Sequence, residues 1–201
     1  MTRIVGGSAR GRRLTVPGTG TRPTSDRARE AVFSSLESLR GTFAGAVVLD
    51  LYAGSGALGL EALSRGAAHV DLVESDRQAA RAIETNRSVV GGGAGAESAP
   101  RSAADGTAQV HAITVERWIA RSHGDSRYDV IFCDPPYAVG ATEVTSVLEV
   151  LRQQRLLADG ALVVVERGRR APVWTWPLGF EAVRDRVYGE AHLWIGGLAG
   201  D

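Results

Sequence analysis

Apolar residues follow two different rhythms along the chain. Short apolar runs rich in β-branched residues, which are typical of buried strands, occupy 46–52, 69–74, 108–113, 128–133 and 161–166. Between these runs the apolar residues recur every three or four positions, which is typical of a helix that packs on one face. Strands that alternate with helices predict right-handed crossovers and a parallel α/β sheet covered on both sides.

The beginning of the chain departs from this alternation. Residues 3–16 hold two short runs around a glycine-rich turn, which predicts a small hairpin. A helix is expected over 26–39 because its apolar positions fall on one face. We therefore expect an N-terminal extension over residues 1–40 and one Rossmann-like domain over residues 41–201.

Two further stretches complete the expected outline. Residues 91–108 contain no large apolar residue and are rich in glycine, alanine and serine, so a flexible loop is expected there. Residues 180–196 predict a hairpin that turns near Gly189 and Glu190 and adds antiparallel strands at one edge of the sheet.

Three acidic residues come at the ends of predicted strands. They are Asp50, Glu74 and Asp134. Ligands of doubly wound sheets bind beyond the carboxyl ends of the strands. The convergence of three carboxylates therefore predicts a site at that edge.

The stretch from Gly54 to Gly59 reads G-x-G-x-x-G, and Glu74 follows Gly54 by 20 residues. By itself this pattern favours a dinucleotide, with the acid on a ribose. Asp50 argues against a dinucleotide, because it adds negative charge where a pyrophosphate would lie and would attract an ammonium group instead. S-adenosylmethionine carries an ammonium, a sulfonium and a ribose with two hydroxyls, so it fits better. The alternative is that Asp50 only caps local backbone groups.

The fourth strand ends in Asp134, Pro135, Pro136 and Tyr137 (DPPY). The exocyclic amine of a nucleobase is a poor nucleophile because its lone pair is delocalised into the ring. The Asp134 carboxylate and the Pro135 carbonyl could accept its hydrogens, which turns the lone pair toward a methyl donor and stabilises the developing positive charge. Proline stiffens the backbone at that carbonyl, and Tyr137 offers a face on which an extruded base can stack.

Two alternatives compete with this interpretation of the tetrapeptide. Asp-Pro-Pro is by itself a common turn. Cys133 could act as a nucleophile, as in ring-carbon methylation of cytosine, but its place inside an apolar strand favours a buried core thiol. No spacing of cysteine and histidine predicts a metal site.

The net charge is zero, but the charges are unevenly distributed. Residues 1–40 contain eight arginines and three acids, whereas residues 41–166 contain ten arginines and sixteen acids. A basic arm on an acidic body predicts contact with a polyanion such as a nucleic-acid backbone. All 23 basic residues are arginine, so an arginine-biased, solvated surface is the alternative.

Cysteine content and hydropathy bear on the compartment. The chain has one cysteine, so it forms no internal disulfide, and no apolar run approaches the roughly 20 residues that span a bilayer. The N-terminal segment is basic but lacks the apolar region of a signal peptide. A cytosolic protein that binds no membrane is the simplest interpretation.

Five segments together identify a family. The stretches IVGGSARGRRL, RPTSDRARE, LDLYAGSGALGLEALSRGA, VESD and FCDPPY occur in the order seen in the bacterial 16S rRNA guanine-N2 methyltransferases of the RsmD type. The chain resembles that family over essentially its whole length apart from 91–108. The resemblance implies a class I S-adenosylmethionine-dependent methyltransferase fold: a seven-stranded, mostly parallel sheet whose last strand is antiparallel.

The resemblance also implies a reaction and its residues. A methyl group would pass from S-adenosylmethionine to N2 of a guanine in 16S rRNA, with the small ribosomal subunit as partner. Apart from the resemblance, a monomer is the oligomeric state considered. Implied cofactor-binding residues are Asp50, Tyr52, Gly54, Ser55, Gly56, Glu74, Ser75 and Thr114. Implied catalytic residues are Asp134, Pro135 and Tyr137. Implied RNA-binding residues are Arg10, Arg12, Arg13, Arg22, Thr24, Arg27 and Arg29.

One departure from the common pattern concerns the adenine of the cofactor. The position after the third strand often carries Asp or Asn for the adenine amine in such folds. Here Thr114 offers only a hydroxyl or a backbone group, so the adenine contact stays open.

Three rival functions remain at this stage. A DNA adenine or cytosine amino-methyltransferase would use the same tetrapeptide, but 201 residues leave no separate target-recognition domain. An RNA-binding assembly factor without activity would not need Asp134 to Tyr137. An NAD-linked oxidoreductase is disfavoured by Asp50 and by the lack of an obvious acid–base pair.

Overall fold

The computed structural model describes residues 2–18, 25–91, 106–122 and 127–199. A small sheet pairs β1 (Thr2–Arg3) with β2 (Arg13–Leu14). The main sheet has seven strands: β3 (Val47–Leu51), β4 (His69–Val73), β5 (Thr107–His111), β6 (Tyr128–Cys133), β7 (Leu157–Gly168), β8 (Phe180–Tyr188) and β9 (Ala191–Leu198). The helices are α1 (Asp26–Arg40), α2 (Ala57–Ser64), α3 (Arg77–Gly91), α4 (Val115–Arg121) and α5 (Ala141–Gln153).

The order of strands in the main sheet is β5-β4-β3-β6-β7-β9-β8. The first five of these run parallel to their neighbours, and β9 lies antiparallel between β7 and β8. The predicted seven-stranded sheet with an antiparallel last strand is confirmed. The order reverses between β3 and β6, which is the switch point where sheets of this type bind their ligands.

Both faces of the central strands are covered, so β3, β4 and β6 are apolar almost throughout, whereas the edge strands β5 and β8 are largely exposed or only half-buried. On one face, α1, α2 and α3 pack against alternate residues such as Val48 and Phe132, and on the other, α4 and α5 pack against Leu49 and Ile131. Among the described residues, no helix is long and apolar enough to cross a membrane.

The N-terminal extension shares the core of the first face. Ile4, Ala9 and Leu14 belong to the same buried cluster as Phe33 of α1 and Leu60 of α2. Helix α1 begins as the sequence predicts: the Ser25 hydroxyl accepts a hydrogen bond from an N–H of its first turn. The hairpin and α1 are therefore packed onto the body by apolar burial.

One strand differs from the prediction in a way that matters for the site. The apolar pattern predicts β7 over 161–166, with the preceding helix continuing to Leu157. The helix ends at Gln153, Arg155 turns the chain with a φ of 57°, and β7 runs from Leu157 to Gly168. Turn chemistry at an arginine is not visible in a hydrophobic pattern. Of the expected 91–108 loop, 92–105 lie outside the described residues.

Candidate functional site at the carboxyl edge of the sheet

The glycine turn between β3 and α2 lies at the switch point. Tyr52, Gly54 and Gly56 have positive φ angles of 60°, 57° and 75°, a region that favours glycine. A Cβ at Gly56 would lie 3.1 Å from side-chain atoms of Leu72 and Ile83. Glycine therefore lets α2 begin close against the sheet and α3.

Glu74, which follows β4, is fixed beside this turn. Its Oε2 accepts a hydrogen bond of 2.8 Å from the Gly54 N–H, and its Oε1 accepts one of 2.7 Å from the Asp76 N–H. Each carboxylate oxygen keeps a second lone pair, and the residue is only half-buried. This carboxylate can therefore still accept the two hydroxyls of a ribose.

Asp50 lies beneath the turn and is buried. Its Oδ2 accepts a 2.8 Å hydrogen bond from the Gly59 N–H of α2, which is the local contact considered above as the alternative role. Burial raises the pKa of Asp50 to about 8, against the lowering effect of that hydrogen bond, and the charge of Glu74 raises it further. The attraction of Asp50 for an ammonium group stays a prediction.

The other predicted cofactor residues have mixed environments. The Tyr52 hydroxyl is buried without a hydrogen-bond partner among the described residues, and burial raises its pKa. Ser75 is exposed, and Thr114 caps α4 by accepting from the Arg117 N–H at 3.3 Å. An unpartnered hydroxyl and a fixed carboxylate beside a glycine turn fit S-adenosylmethionine, which would be held by Glu74, Tyr52 and the turn itself.

Several carboxyl groups lie near the part of the edge that is predicted to bind the base. Leu51, Cys133 and Val165 are paired across β3, β6 and β7, so the residues that follow them, Tyr52, Asp134 and Glu166, lie side by side. Burial raises the pKa of Asp134 well above its usual value, and the negative charges of Glu166 and Asp50 raise it further. A carboxylate in this position is poorly stabilised until a hydrogen-bond donor or a positive charge arrives.

The two prolines and the tyrosine of the tetrapeptide differ in exposure and in hydrogen bonding. Pro135 is buried, and its carbonyl accepts no hydrogen bond within the described part of the chain. The next carbonyl, of Pro136, accepts from the Val139 N–H at 2.9 Å and so turns the loop back. Tyr137 is 81% exposed. An acceptor and a flat aromatic face are thus both available to a ligand.

The end of β7 supports this loop, and the sequence analysis missed it. The guanidinium of Arg167 donates a 2.8 Å hydrogen bond from Nη1 to the Val139 carbonyl. A Cβ at Gly168 would lie 3.3 Å from Cε1 of Tyr137, so the tyrosine ring lies against this glycine. No short motif marks these positions. The signal is that Arg167 and Gly168 lie two and three residues beyond Val165, the last residue of β7 that pairs with β6.

Cys133 is buried within β6, and burial raises its pKa. A nucleophilic cysteine needs the thiolate form. The environment therefore favours the core thiol over the nucleophile. Within the residues that the structure describes, no cluster of three potential metal ligands occurs.

Two comparisons of sequence bear on this site. The family model "Conserved hypothetical protein 95" matches residues 2–197. The chain belongs to this family. It is 35% identical to ribosomal RNA small subunit methyltransferase D of Escherichia coli (strain K12), over 94% of this chain and 85% of that protein.

Solved structures show the same fold. A hypothetical protein of Thermus thermophilus is 33% identical, with a TM-score of 0.76 over 97% of this chain and 98% of that chain. An RNA methyltransferase of Salinibacter ruber in complex with S-adenosyl-L-homocysteine has a TM-score of 0.57 at 16% identity, over 90% of this chain and 95% of that chain. The second likeness concerns the fold alone, which is that of class I S-adenosylmethionine-dependent methyltransferases.

In this member of the Conserved hypothetical protein 95 family, the N-terminal hairpin is bonded to α2. Buried Glu61 accepts 2.7 Å hydrogen bonds from the backbone N–H groups of Val5 and Gly6. The Ser64 hydroxyl accepts from the Ala9 N–H at 2.9 Å and donates to the Gly6 carbonyl at 2.7 Å. The segment LEALSR, part of the resemblance, thus holds the hairpin.

Asn86 of α3 links the hairpin to the glycine turn. Its Oδ1 accepts from the Thr15 N–H at 2.7 Å, and its Nδ2 donates to the carbonyls of Thr15 at 2.8 Å and Ser55 at 2.9 Å. Asn86 is fully buried, so all three bonds are shielded from water. Ser55 is therefore held through its carbonyl by a residue that also fixes the arm.

The predicted RNA-binding arginines divide into two groups. Arg10, Arg13 and Arg27 are exposed or partly exposed. Arg29 is fully buried, and it donates to the Thr2 hydroxyl, the Arg3 carbonyl and the Asp26 carboxylate. The prediction that Arg29 contacts RNA is therefore wrong, because its guanidinium is buried and joins β1 to α1.

Arg12 also has an internal partner. Its Nη1 donates to the Val89 carbonyl near the end of α3, where a cation is favoured by the helix dipole. Its RNA contact stays a prediction with less support than that of Arg10 or Arg13. Arg22 and Thr24 lie outside the described residues.

Proposed function

We propose that this protein transfers a methyl group from S-adenosylmethionine to N2 of a guanine in the ribosomal RNA of the small subunit. The observation that carries the chemistry is the DPPY loop, held by β7 at the switch point beside the glycine turn. The RNA substrate is supported by the relationship to ribosomal RNA small subunit methyltransferase D.

The site suits an amine acceptor. N2 of guanine carries two hydrogens, one for the Asp134 carboxylate and one for the free Pro135 carbonyl. Bound S-adenosylmethionine would supply the methyl group: the S–CH3 bond breaks as the N–CH3 bond forms, S-adenosylhomocysteine leaves as a neutral thioether, and the proton lost from N2 passes to the Asp134 carboxylate and then to solvent. Because Asp134 is poorly solvated and has carboxylates as neighbours, it gains more from the positive charge that develops on nitrogen than a carboxylate in water would.

Base access follows from the exposure of Tyr137. Stacking of an extruded base on an aromatic ring contributes roughly 1–3 kcal/mol. Arg10, Arg13 and Arg27, the exposed arginines of the hairpin and α1 among those predicted to bind RNA, would contact phosphates of the surrounding RNA. The arm would thus orient the RNA while the edge of the sheet holds one base.

Transfer of labelled methyl from S-adenosylmethionine tests this proposal. The substrates are unmodified small ribosomal subunits, naked 16S rRNA and duplex DNA, and the labelled nucleoside is identified after digestion. N2-methylguanosine from subunits or rRNA is expected. Asp134→Asn should transfer no methyl above background, whereas the exposed control Asp159→Asn should be as active as wild type.

Other outcomes would overturn parts of the proposal. Methyl found only on DNA would leave the chemistry of the tetrapeptide intact but contradict the RNA substrate. A methylated adenine or cytosine in rRNA would contradict the guanine assignment. No transfer to any substrate, with S-adenosylmethionine bound normally, would count against an amino-methyltransferase.

A further inference from the structure

The turn after β7 lies beside the base-binding loop. Strand β6 ends at Cys133, which is paired with Val165, whereas β7 continues to Gly168. The three extra residues of β7 flank the tetrapeptide, and residues 169–171 follow immediately. The turn is therefore carried to the rim of the pocket.

Direct contacts fix the position of this turn. Gly168 lies against the ring of Tyr137, as the 3.3 Å approach to its Cβ position shows. The Arg169 N–H donates to the Glu190 carbonyl at 2.7 Å, and the Ala171 N–H donates to the Gly168 carbonyl at 2.8 Å. The backbone that carries the next side chains is thus bonded to the β8–β9 turn and starts at the stacking ring.

The charges at this rim are unbalanced. Arg169 and Arg170 are both exposed, and among the described residues neither guanidinium has an ion pair. Inside the rim lie the carboxyl groups of Asp134 and Glu166, and Glu190 is exposed on the neighbouring turn. A nucleotide that inserts its base here would bring its phosphates toward acids, which would repel them unless cations are nearby.

We infer that Arg169 and Arg170 bind the RNA backbone phosphates on either side of the nucleotide whose base enters the pocket. This inference rests on the proposed RNA substrate and extends its binding surface beyond the N-terminal arm. Guanidinium groups bind phosphate oxygens bidentately. An aromatic ring next to backbone-binding cations is the arrangement by which proteins hold single-stranded nucleotides.

The test replaces both arginines with neutral residues of similar length. Arg169→Gln/Arg170→Gln should raise KM for small subunits and lower the affinity for naked 16S rRNA by about 5- to 50-fold at moderate salt. The slope of log affinity against log salt should fall by about 1–2, since each lost phosphate contact removes roughly 0.9. Affinity for S-adenosylmethionine should be unchanged.

A matched control removes the same charge elsewhere. Arg127 and Arg155 are exposed at the amino ends of β6 and β7, opposite the pocket. Arg127→Gln/Arg155→Gln should leave KM and the salt slope near wild type. Equal effects of the two pairs would overturn the inference, because only net charge would then matter, and so would no effect of the first pair. Failure of the wild type to methylate any RNA would instead refute the proposed function.

Discussion

The N-terminal hairpin and the carboxyl edge of the sheet, where we propose that a base binds, use polar groups in different ways. In the hairpin, buried Glu61 and Asn86 have their oxygens hydrogen-bonded to backbone N–H groups at 2.7 Å. At the edge, buried Asp50 and half-buried Asp134 lie close enough to other acids that their negative charges add to the rise in both pKa values. In the hairpin these oxygens have donors, whereas at the edge the two carboxyl groups also face the negative charges of neighbouring acids.

This difference indicates which region is built for stability and which for a ligand. Buried polar groups are normally paired because an unpaired one costs free energy of folding. Two neighbouring acids with raised pKa values, Asp50 and Asp134, therefore point to a function that needs them at this edge. In the hairpin, the buried side chains of Glu61 and Asn86 are hydrogen-bonded to backbone groups, so their burial needs no ligand to explain it, although the outer arginines are available to one.

Replacing Asp134 by asparagine should have the largest effect, because it should abolish activity without lowering stability. The amide keeps the shape but removes the negative charge, so kcat/KM for methyl transfer should fall by about 10²–10³-fold or more. The unfolding midpoint of the ligand-free protein should stay the same or rise, because a buried charge is lost. A strong loss of affinity for S-adenosylmethionine would contradict the assigned role.

Replacing Asn86 by alanine should have the opposite profile. Loss of its bonds leaves buried groups of the hairpin and of Ser55 unpaired, so the free energy of unfolding should fall by roughly 1–3 kcal/mol in a urea titration. S-adenosylmethionine affinity, measured by calorimetry, should fall a few-fold because the glycine turn loses a support. Arg87→Ala, which alters an exposed residue of the same helix, serves as control. Unchanged stability would show that the hairpin is not held as described.

The comparison also predicts a pH dependence. The pKa of Asp50 is raised in the folded protein to about 8, so its contribution to stability is fully present below the unfolded value near 4 and is lost as the pH rises through about 8. Ligand-free protein should therefore melt at a lower temperature at pH 9 than at pH 5. Asp50→Asn should weaken this dependence, and Asp159→Asn should not; an equal slope in all three would refute it.

Neutralising the outer face of the hairpin should have the smallest effect. Arg10→Gln/Arg13→Gln should weaken binding of 16S rRNA several-fold and lower its salt slope, while stability stays the same because both residues are exposed. Filter binding at several salt concentrations measures this. A loss of stability comparable to that of Asn86→Ala would mean that these arginines hold the fold and not the RNA.

The sequence was sufficient for the sheet but not for all of the site. Apolar runs and glycine turns predicted the strands at the switch point and the carboxylates at their ends, because these patterns depend on local chemistry. The roles of Arg29 and Asn86 were not visible, since a charged or polar letter does not show whether its side chain faces solvent or a neighbouring backbone. Arg29 was predicted to contact RNA because it lies in the basic N-terminal segment, but its buried guanidinium connects β1 to α1.

The support that β7 gives to the tetrapeptide was missed for another reason. Arg167 and Gly168 contact Val139 and Tyr137, about thirty positions earlier in the chain. Such contacts depend on the order of the strands in the sheet and on how many residues one strand extends beyond the end of its neighbour. A hydrophobic pattern predicts neither of these. Arg167 and Gly168 were thus recognised from the register of the strands and not from a sequence motif.

The three hydrogen bonds of Asn86 have a consequence for how this molecule can be altered. Asn86 is hydrogen-bonded both to the N-terminal hairpin and to the glycine turn. The hairpin is therefore not a separate module that could be exchanged to direct the protein to another RNA. A chimera would have to transplant Glu61, Ser64 and Asn86 together with the new hairpin. Substitution of exposed residues of the hairpin should therefore change the choice of RNA more easily than replacement of the whole hairpin.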